Sequence, residues 1–198
     1  RPTLFHALAT TVAKQLADSL STQHKVSLAV PGGTTPAPFF EQLNQLELNW
    51  NQVLVTLTDE RLVDEHHERS NARLLKNSLL QNRASAAQFA PLYTHDGLAQ
   101  ADSLLPLKPL TVVVLGMGTD GHTASLFPQA PELSAALDPD NAALSAIIHA
   151  PHAPEARVSL TWSLLKTAQH LHILITGEEK RAVLQQALTD LNDSLTMP

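Results

Sequence analysis

The residues best suited to chemistry lie between Gly116 and His122, in the segment GMGTDGH. This segment follows the apolar run LTVVVL and precedes the short helical pattern TASLF. A histidine ionises near neutral pH and is the usual general base, and a nearby carboxylate can fix its tautomer and stabilise its imidazolium form. We therefore predict that His122 is a general base supported by Asp120. The alternative is that Asp120 caps a helix and His122 is a surface imidazole.

A second glycine segment, PGGTTP at 31–36, is suited to binding an anion. Glycine allows backbone N–H groups to approach a ligand closely, threonine hydroxyls add donors, and a helix that begins directly afterwards adds its positive end. We predict that Gly32, Gly33, Thr34 and Thr35 bind a phosphate group. The alternative is a tight strand-to-helix turn that Thr34 or Thr35 caps.

Three cations follow other predicted strands closely enough to reach the same anion: Arg61, Arg157 and Lys180. Each of them taken singly could instead be a solvated surface charge. Asp59 and Glu60 directly precede Arg61, although a carboxylate near a phosphate repels it unless it orients an arginine or a sugar hydroxyl. We assign Asp59 to substrate binding and leave Glu60 without a role.

The elements that must position these residues alternate between strand and helix. Short apolar runs predict strands at 25–30, 52–58, 110–115, 145–150 and 171–176, and helical periodicity predicts helices at 3–22, 36–47, 70–81 and 178–191. Such alternation predicts an α/β fold, a mostly parallel, doubly wound open sheet with helices on both faces. Residues 82–109 and 128–144 are predicted to be irregular connections that contain short helices.

Ligands bind beyond the carboxyl ends of the strands in such sheets, and the unusual residues of this sequence lie there. Of the seven glycines, six fall in segments that follow a predicted strand: Gly32, Gly33, Gly116, Gly118, Gly121 and Gly177. We therefore expect one site at one edge of the sheet. Backbone N–H groups of the loop at 116–121, those of Gly116, Gly118 and Gly121, are candidates to stabilise an oxyanion.

Composition excludes several classes of function. The sequence contains no cysteine, which excludes thiolate metal sites and a cysteine nucleophile, and its net charge of −6 argues against a nucleic-acid partner. Its apolar runs are far shorter than the roughly 20 residues that span a bilayer. No secretory signal is apparent, so we expect a cytoplasmic protein with no membrane partner, and one domain over residues 1–198.

Histidines suggest a metal site as an alternative. His66, His67, His149 and His152 could gather at a strand end, but their spacing fits no helical pair of ligands and no carboxylate accompanies them in register. We therefore expect no metal and no other cofactor.

Read in order, five motifs resemble those of the 6-phosphogluconolactonases: PGGTTP, LTDERLV followed by SNARLL, LGMGTDGHTASLFP, APHAPEARVSLTWSLL and ITGEEKRAVL. The resemblance spans nearly the whole chain. It implies a sheet like that of the glucosamine-6-phosphate deaminases and ribose-5-phosphate isomerases. It also implies hydrolysis of 6-phosphoglucono-1,5-lactone to 6-phosphogluconate in the pentose phosphate pathway, without a cofactor.

The glucosamine-6-phosphate deaminases share this fold and are the main alternative. They carry a catalytic Glu seven residues after the Asp of their Asp-Gly-His motif, where this sequence has Phe127, and an aromatic residue where it has Arg61. Both differences favour the lactonase. A non-catalytic sugar-phosphate-binding regulator is a further alternative, against which the retention of His122 beside Asp120 counts.

Some positions depart from the usual lactonase pattern. Pro31 and Thr34 stand where Ser is common, and Leu62 stands where Trp is common, but none of these changes removes a charge or the proposed base. The family usually has another strand after the final helix, so we expect that a C-terminal strand is missing from this sequence. The expected partner is a small sugar-phosphate lactone, and the expected state is a monomer or weak homo-oligomer.

Overall fold

A computed structural model describes residues 2–94, 97–98, 104–151 and 153–189 of the chain. The α-helices in these ranges are α1 (Pro2–Leu20), α2 (Ala37–Leu43), α3 (Asn71–Ser78), α4 (Leu133–Leu137), α5 (Trp162–Leu165) and α6 (Glu178–Thr189). Short 3-10 helices occupy Trp50–Gln52, Asn82–Ala86 and Leu105–Leu107. Within the described ranges, no helix combines the length and apolar character that a membrane span requires.

The strands fall into a main sheet, a small second sheet and a hairpin. They are β1 (Val26–Val30), β2 (Val53–Leu57), β3 (Asp59–Arg61), β4 (Gln88–Ala90), β5 (Tyr93–Thr94), β6 (Gly97–Leu98), β7 (Val112–Leu115), β8 (Ser145–Ile148), β9 (Arg157–Leu160) and β10 (His170–Ile173).

The main sheet is parallel throughout, in the order β10-β7-β1-β2-β4. Strand β1 pairs with β2 from Val26 opposite Val53 to Val30 opposite Leu57. All five residues of β1 are buried, as expected for a central parallel strand covered on both faces. The predicted α/β class with a mostly parallel sheet is therefore confirmed.

The second sheet is antiparallel, in the order β3-β9-β8, and it corrects the prediction for residues 145–150. That run forms β8 here rather than a strand of the parallel sheet, and it ends at residue 148. Three of its four residues are only half-buried, which suits a small sheet with an open face better than the interior of a doubly wound one. The N–H of Thr58 donates to the carbonyl oxygen of Val30 at 2.8 Å, so β3 leaves the carboxyl end of the main sheet.

The connections contain more regular structure than the sequence predicted. Strand β4 and the β5–β6 hairpin lie in the segment 82–109, and β9 lies in a stretch for which no strand was predicted. Each of these strands has two to four residues. Runs of that length carry too little alternation of polar and apolar residues to reveal a strand.

Helix α1 buries a different stripe from the one its leucine spacing suggests. Val12 and Leu16 are fully buried, but Leu4 is 44% exposed, and Phe5 and Ala9 face the core instead. A spacing of four residues drifts by about 40° per step around a helix of 3.6 residues per turn, so such a stripe leaves the buried face within a few steps. Helix α1 packs on β1, β7 and α2, and α2 packs on α3.

Glu60, which had no predicted role, anchors the start of α3. Its side chain is 3% exposed, and Oε1 accepts hydrogen bonds from the N–H groups of Arg61 at 2.7 Å and Asn71 at 2.8 Å. Oε2 accepts from the N–H of Ala72 at 2.7 Å and the hydroxyl of Ser70 at 3.2 Å. Burial raises the pKa of Glu60, although these donors oppose the rise. Glu60 therefore holds α3 against β3, because its carboxyl oxygens accept hydrogen bonds from both elements.

We predict that Glu60→Gln lowers the free energy of unfolding by about 1 to 3 kcal/mol, because an amide NH₂ would then face buried N–H donors. Urea unfolding measures the change. Glu41→Gln, on the exposed side of α2, is the matched control and should leave stability within about 0.5 kcal/mol. Equal stability of the Glu60→Gln variant and the wild type would refute the anchoring role.

Candidate active site

One cavity of about 280 Å³ at the carboxyl edge of the main sheet gathers most of the predicted site residues. Those that line it are Gly32, Gly33, Thr34, Thr35, Asp59, Arg61, Gly116, Gly118, His122, Arg157 and Lys180. Asp120 and Gly121 do not line it. Residues that follow β1, β2, β7 and β10 thus converge at one place, together with Arg157 at the start of β9.

His122 and Asp120 form a hydrogen-bonded pair. The imidazole Nδ1 lies 2.5 Å from Oδ1 of Asp120, and the backbone N–H of His122 donates to the same oxygen at 3.3 Å. An ionised carboxylate can only accept, so the proton of the neutral imidazole is on Nδ1 and the lone pair is on Nε2. Within the described residues, no group forms a hydrogen bond with Nε2 of His122. Asp120 lies behind the imidazole, which itself faces the cavity.

Glycines fold the loop that brings this pair together. The N–H of Gly118 donates to the carbonyl oxygen of His122 at 2.9 Å, and the N–H of Gly121 donates to that of Gly118 at 3.3 Å. Gly121 adopts a φ of +87°, which favours glycine. A Cβ atom on Gly118 would collide with both the Asp120 carboxylate and the His122 ring. Because the amides of Gly118 and Gly121 donate inside the loop, Gly116 is the remaining oxyanion candidate of the three.

Two arginines lie directly opposite each other in the small sheet. Arg61 of β3 pairs in register with Arg157 of β9, and both side chains line the cavity. Burial lowers the pKa of Arg157, and the positive charge of Arg61 lowers it further. The Nε atoms of both arginines are buried without a hydrogen-bond partner among the described residues. Paired like charges with unused donors are the arrangement that an anion would stabilise.

The loop at 32–35 presents free backbone donors to the same cavity. In the described part of the chain, no group accepts a hydrogen bond from the N–H of Gly33, Thr34 or Thr35. The alternative role, a threonine cap on α2, does not occur: the N-cap is Pro36, and no side chain caps the helix. Gly33 has a φ of +85°, so the turn requires a residue that tolerates the left-handed region.

Asp59 connects the segment that follows His122 with the small antiparallel sheet that carries Arg61 and Arg157. Its Oδ2 accepts a hydrogen bond of 2.6 Å from the hydroxyl of Ser125, which lies three residues beyond His122. The N–H of Ser125 in turn donates to Oγ of Ser159 on β9 at 3.2 Å. Asp59 is 8% exposed and still lines the cavity. Its strongest contact therefore ties the histidine loop to the strands that carry the arginines.

Asn71 is a cavity residue that the sequence reasoning missed. It is 2% exposed, and its Nδ2 donates to the carbonyl oxygen of Asp59 at 2.9 Å. Its Oδ1 is buried without a hydrogen-bond partner among the described residues. The motif SNARLL contains this asparagine, so the sequence offered an indication. However, a polar residue at the start of a helix is usually interpreted as a helix cap.

Of the histidines considered for a metal site, those that the structure describes do not form one. His149 pairs through Nδ1 with Oε1 of Glu132 at 2.6 Å, and Nδ1 of His67 accepts a hydrogen bond of 3.1 Å from the N–H of Arg69. No three His, Cys, Asp or Glu side chains of the described ranges could hold a metal ion together. His152 lies outside the described residues.

Gly32 packs against the Asn71 amide, which would collide with any Cβ added there. We predict that Gly32→Ala lowers the free energy of unfolding by about 1 to 3 kcal/mol, as overpacking typically does. Asn71→Ala should recover part of that loss in the double variant, because it removes the colliding group.

Urea unfolding of the single and double variants measures this coupling. Gly116→Ala is the matched control for stability, because the nearest atom to its added Cβ, Pro31 Cβ, is 3.7 Å away. Strictly additive losses from Gly32→Ala and Asn71→Ala would show that the two positions are not in steric contact.

The amino-acid sequence also matches a family model over residues 1–198, described as glucosamine-6-phosphate isomerases/6-phosphogluconolactonase. Two similar curated proteins are 6-phosphogluconolactonases. One, from Rhizobium meliloti, is 43% identical over 98% of this chain and 87% of its own length. The other, from Mesorhizobium japonicum, is 44% identical over 95% of this chain and 82% of its own length.

Solved structures share the fold. A 6-phosphogluconolactonase from Shewanella baltica superimposes with a TM-score of 0.86 at 38% identity and covers 95% of this chain and 83% of its own. A 6-phosphogluconolactonase from Thermotoga maritima gives a TM-score of 0.78 at 26% identity, with 98% and 88% covered.

Proposed function

The chain belongs to the family of glucosamine-6-phosphate isomerases and 6-phosphogluconolactonases, and we propose that it hydrolyses 6-phosphoglucono-1,5-lactone to 6-phosphogluconate in the pentose phosphate pathway. The observation that carries this proposal is the cavity that a histidine hydrogen-bonded to a carboxylate lines together with a pair of opposed arginines. A base and a phosphate site that line one cavity match the two ends of this substrate.

The phosphate end of the substrate binds where positive charge and free donors meet. The N–H groups of Gly33, Thr34 and Thr35 donate to the phosphate oxygens, and the guanidinium groups of Arg61 and Arg157 neutralise their charge. Lys180, which lines the same cavity, adds a third cation. The phosphate does not react, so its binding energy serves to hold the lactone carbonyl in place.

At the other end, His122 activates water. Nε2 takes a proton from a water molecule as the water oxygen attacks the lactone carbonyl carbon, and Asp120 stabilises the imidazolium that forms. The tetrahedral intermediate then collapses, the bond between the carbonyl carbon and the ring oxygen breaks, and Nε2 returns the proton to that oxygen. No covalent intermediate and no cofactor enter this scheme. The N–H of Gly116 is our candidate donor to the oxyanion.

Phe127 supports the lactonase over the deaminase alternative. Its ring contacts the His122 imidazole, with 4.1 Å between ring centroids, at the sequence position where the deaminases carry a catalytic Glu. An aromatic ring can neither donate nor accept the proton that amine release requires. Ammonia release from glucosamine 6-phosphate distinguishes the two enzymes directly, and we expect none.

We predict that His122→Ala lowers kcat by about 100- to 10,000-fold, the usual contribution of a general base, and leaves the affinity for 6-phosphogluconate within about threefold. Lactone hydrolysis corrected for the spontaneous rate measures kcat, and calorimetry measures the affinity. His149→Ala is the matched control, because His149 is also paired with a carboxylate but does not line the cavity. A wild-type kcat in the His122→Ala variant would refute the role of His122 as the general base.

We predict that Arg157→Ala raises KM by about 10- to 100-fold and changes kcat little, because charge-assisted hydrogen bonds to a non-reacting phosphate serve mainly binding. Lys180→Ala should act in the same direction. Arg83→Ala removes an exposed arginine that pairs with Glu47, and it is the control that should leave KM unchanged. If both cavity variants keep the wild-type KM, the phosphate cluster is disproved.

We also propose that the chain acts as one domain in the cytoplasm, as a monomer or weak homo-oligomer, with no nucleic acid as partner. The net charge of −6 supports the last of these statements.

A further inference from the structure

Phe127 contacts both the proposed base and one of the proposed phosphate ligands. Its ring centroid lies 4.1 Å from that of the His122 imidazole, with the two planes inclined by 36°. The guanidinium carbon of Arg157 lies 5.7 Å from the same Phe127 centroid, within the range of a cation–π contact. Phe127 is thus in contact with two side chains that line the active-site cavity.

Phe127 does not itself line that cavity. It lines a neighbouring, more apolar pocket, together with Asp120, and Arg157 forms part of both. A substrate in the active-site cavity therefore meets His122 and Arg157 but not the ring behind them. Any effect of Phe127 on the reaction must act through these two residues.

The backbone around Phe127 is held on both sides. Before it, the hydroxyl of Ser125 donates to the buried Asp59, and Leu126 is 2% exposed in the core. After it, the N–H of Ala130 donates to the carbonyl oxygen of Phe127 at 3.2 Å. The backbone position of Phe127 is consequently fixed by contacts other than the one with the histidine.

The hydrogen bond to Asp120 alone does not define the plane of the imidazole. It fixes Nδ1, but the ring can still tilt about that bond, and a tilt moves Nε2, the atom that must face the attacking water. Contact with the Phe127 ring limits this tilt. An aromatic face also attracts positive charge, so it favours the imidazolium that forms during the reaction.

We propose that Phe127 is a positioning residue for lactone hydrolysis, which holds the His122 imidazole at the orientation that directs Nε2 into the cavity and sets it relative to Arg157. This inference rests on the proposed function, in which His122 is the base. Position 127 then has a role of its own in lactone hydrolysis, in addition to lacking the catalytic Glu of the deaminases.

Two substitutions at this position separate the aromatic face from mere volume. Phe127→Leu keeps an apolar side chain but removes the ring, and we expect kcat to fall by about 10- to 100-fold, the cost of a misplaced catalytic group. KM should rise only about two- to fivefold, the value of one lost cation–π contact. Phe127→Tyr keeps the ring and should restore kcat to within about threefold of wild type.

Phe89→Leu is the matched control. Phe89 is also half-buried and also has a cation over its ring, Lys76 at 5.6 Å, but it lies on the edge strand β4 and does not line the cavity. We expect this variant to keep the wild-type kcat and KM. Thermal unfolding of every variant shows whether it is folded at the assay temperature, and Phe127→Met replaces Phe127→Leu if the latter is not.

A double variant distinguishes failure of this inference from failure of the proposed function. In a His122→Ala background, Phe127→Leu should cause no further loss of kcat, because Phe127 acts through the imidazole. Wild-type kcat in the Phe127→Leu variant, a rise in KM alone, or an equal loss of kcat with and without His122 would each overturn the positioning role. Wild-type kcat in His122→Ala alone would instead overturn the base assignment.

Discussion

The opposition of Arg61 and Arg157 is the interaction around which the site is organised. Two guanidinium groups directly across an antiparallel pair repel each other, and partial burial denies them the water that would screen this repulsion. The fold must therefore hold them by other means. The Glu60 carboxylate, next to Arg61 in sequence, is bonded to the backbone of α3, and Nη1 of Arg61 donates to the carbonyl oxygen of Arg69 at 2.5 Å. An anion that enters between the arginines removes the repulsion that the scaffold otherwise sustains.

The glycines of the loops after β7 and β1 meet steric requirements of the site. The loop after β7 has to bring a carboxylate and an imidazole only two residues apart into a hydrogen bond, which leaves no room for a side chain at Gly118. The loop after β1 has to expose N–H groups for which the described part of the chain offers no acceptor. In each loop, a glycine allows a backbone arrangement that places polar groups at the cavity. These groups are the His122 imidazole in the first loop and the backbone N–H groups in the second. Gly118 leaves room for the hydrogen bond between His122 and Asp120, and its own N–H donates to the carbonyl oxygen of His122 within the loop.

Much of the fold follows from sequence patterns because the central strands of the main sheet, β1, β2 and β7, are largely buried and consist of short apolar runs. Strand β1 is the clearest case. The separate second sheet could not be found in this way, although the run that forms β8 was predicted as a strand. Strand β3 consists of Asp59, Glu60 and Arg61 and is stable through its pairing with β9. Residues that lie at strand ends, such as Arg61 and His122, were predictable from position and type. Asn71, Ser125 and the contact of Phe127 with His122 depend on packing between distant segments, which no local pattern encodes.

The two sheets contribute different residues to the site, so the contacts that join the sheets determine how these residues are placed relative to one another. The parallel sheet ends in the loop that carries His122, whereas the antiparallel sheet carries the arginines. Energy from binding a remote phosphate accelerates hydrolysis only if the distance from phosphate to base is fixed when the substrate binds. In the mechanism that we propose, two contacts fix it: the hydrogen bond from Ser125 to Asp59, and the contacts of the Phe127 ring with His122 and Arg157. The first holds the backbone of the histidine loop and the second holds its imidazole, so neither can substitute for the other.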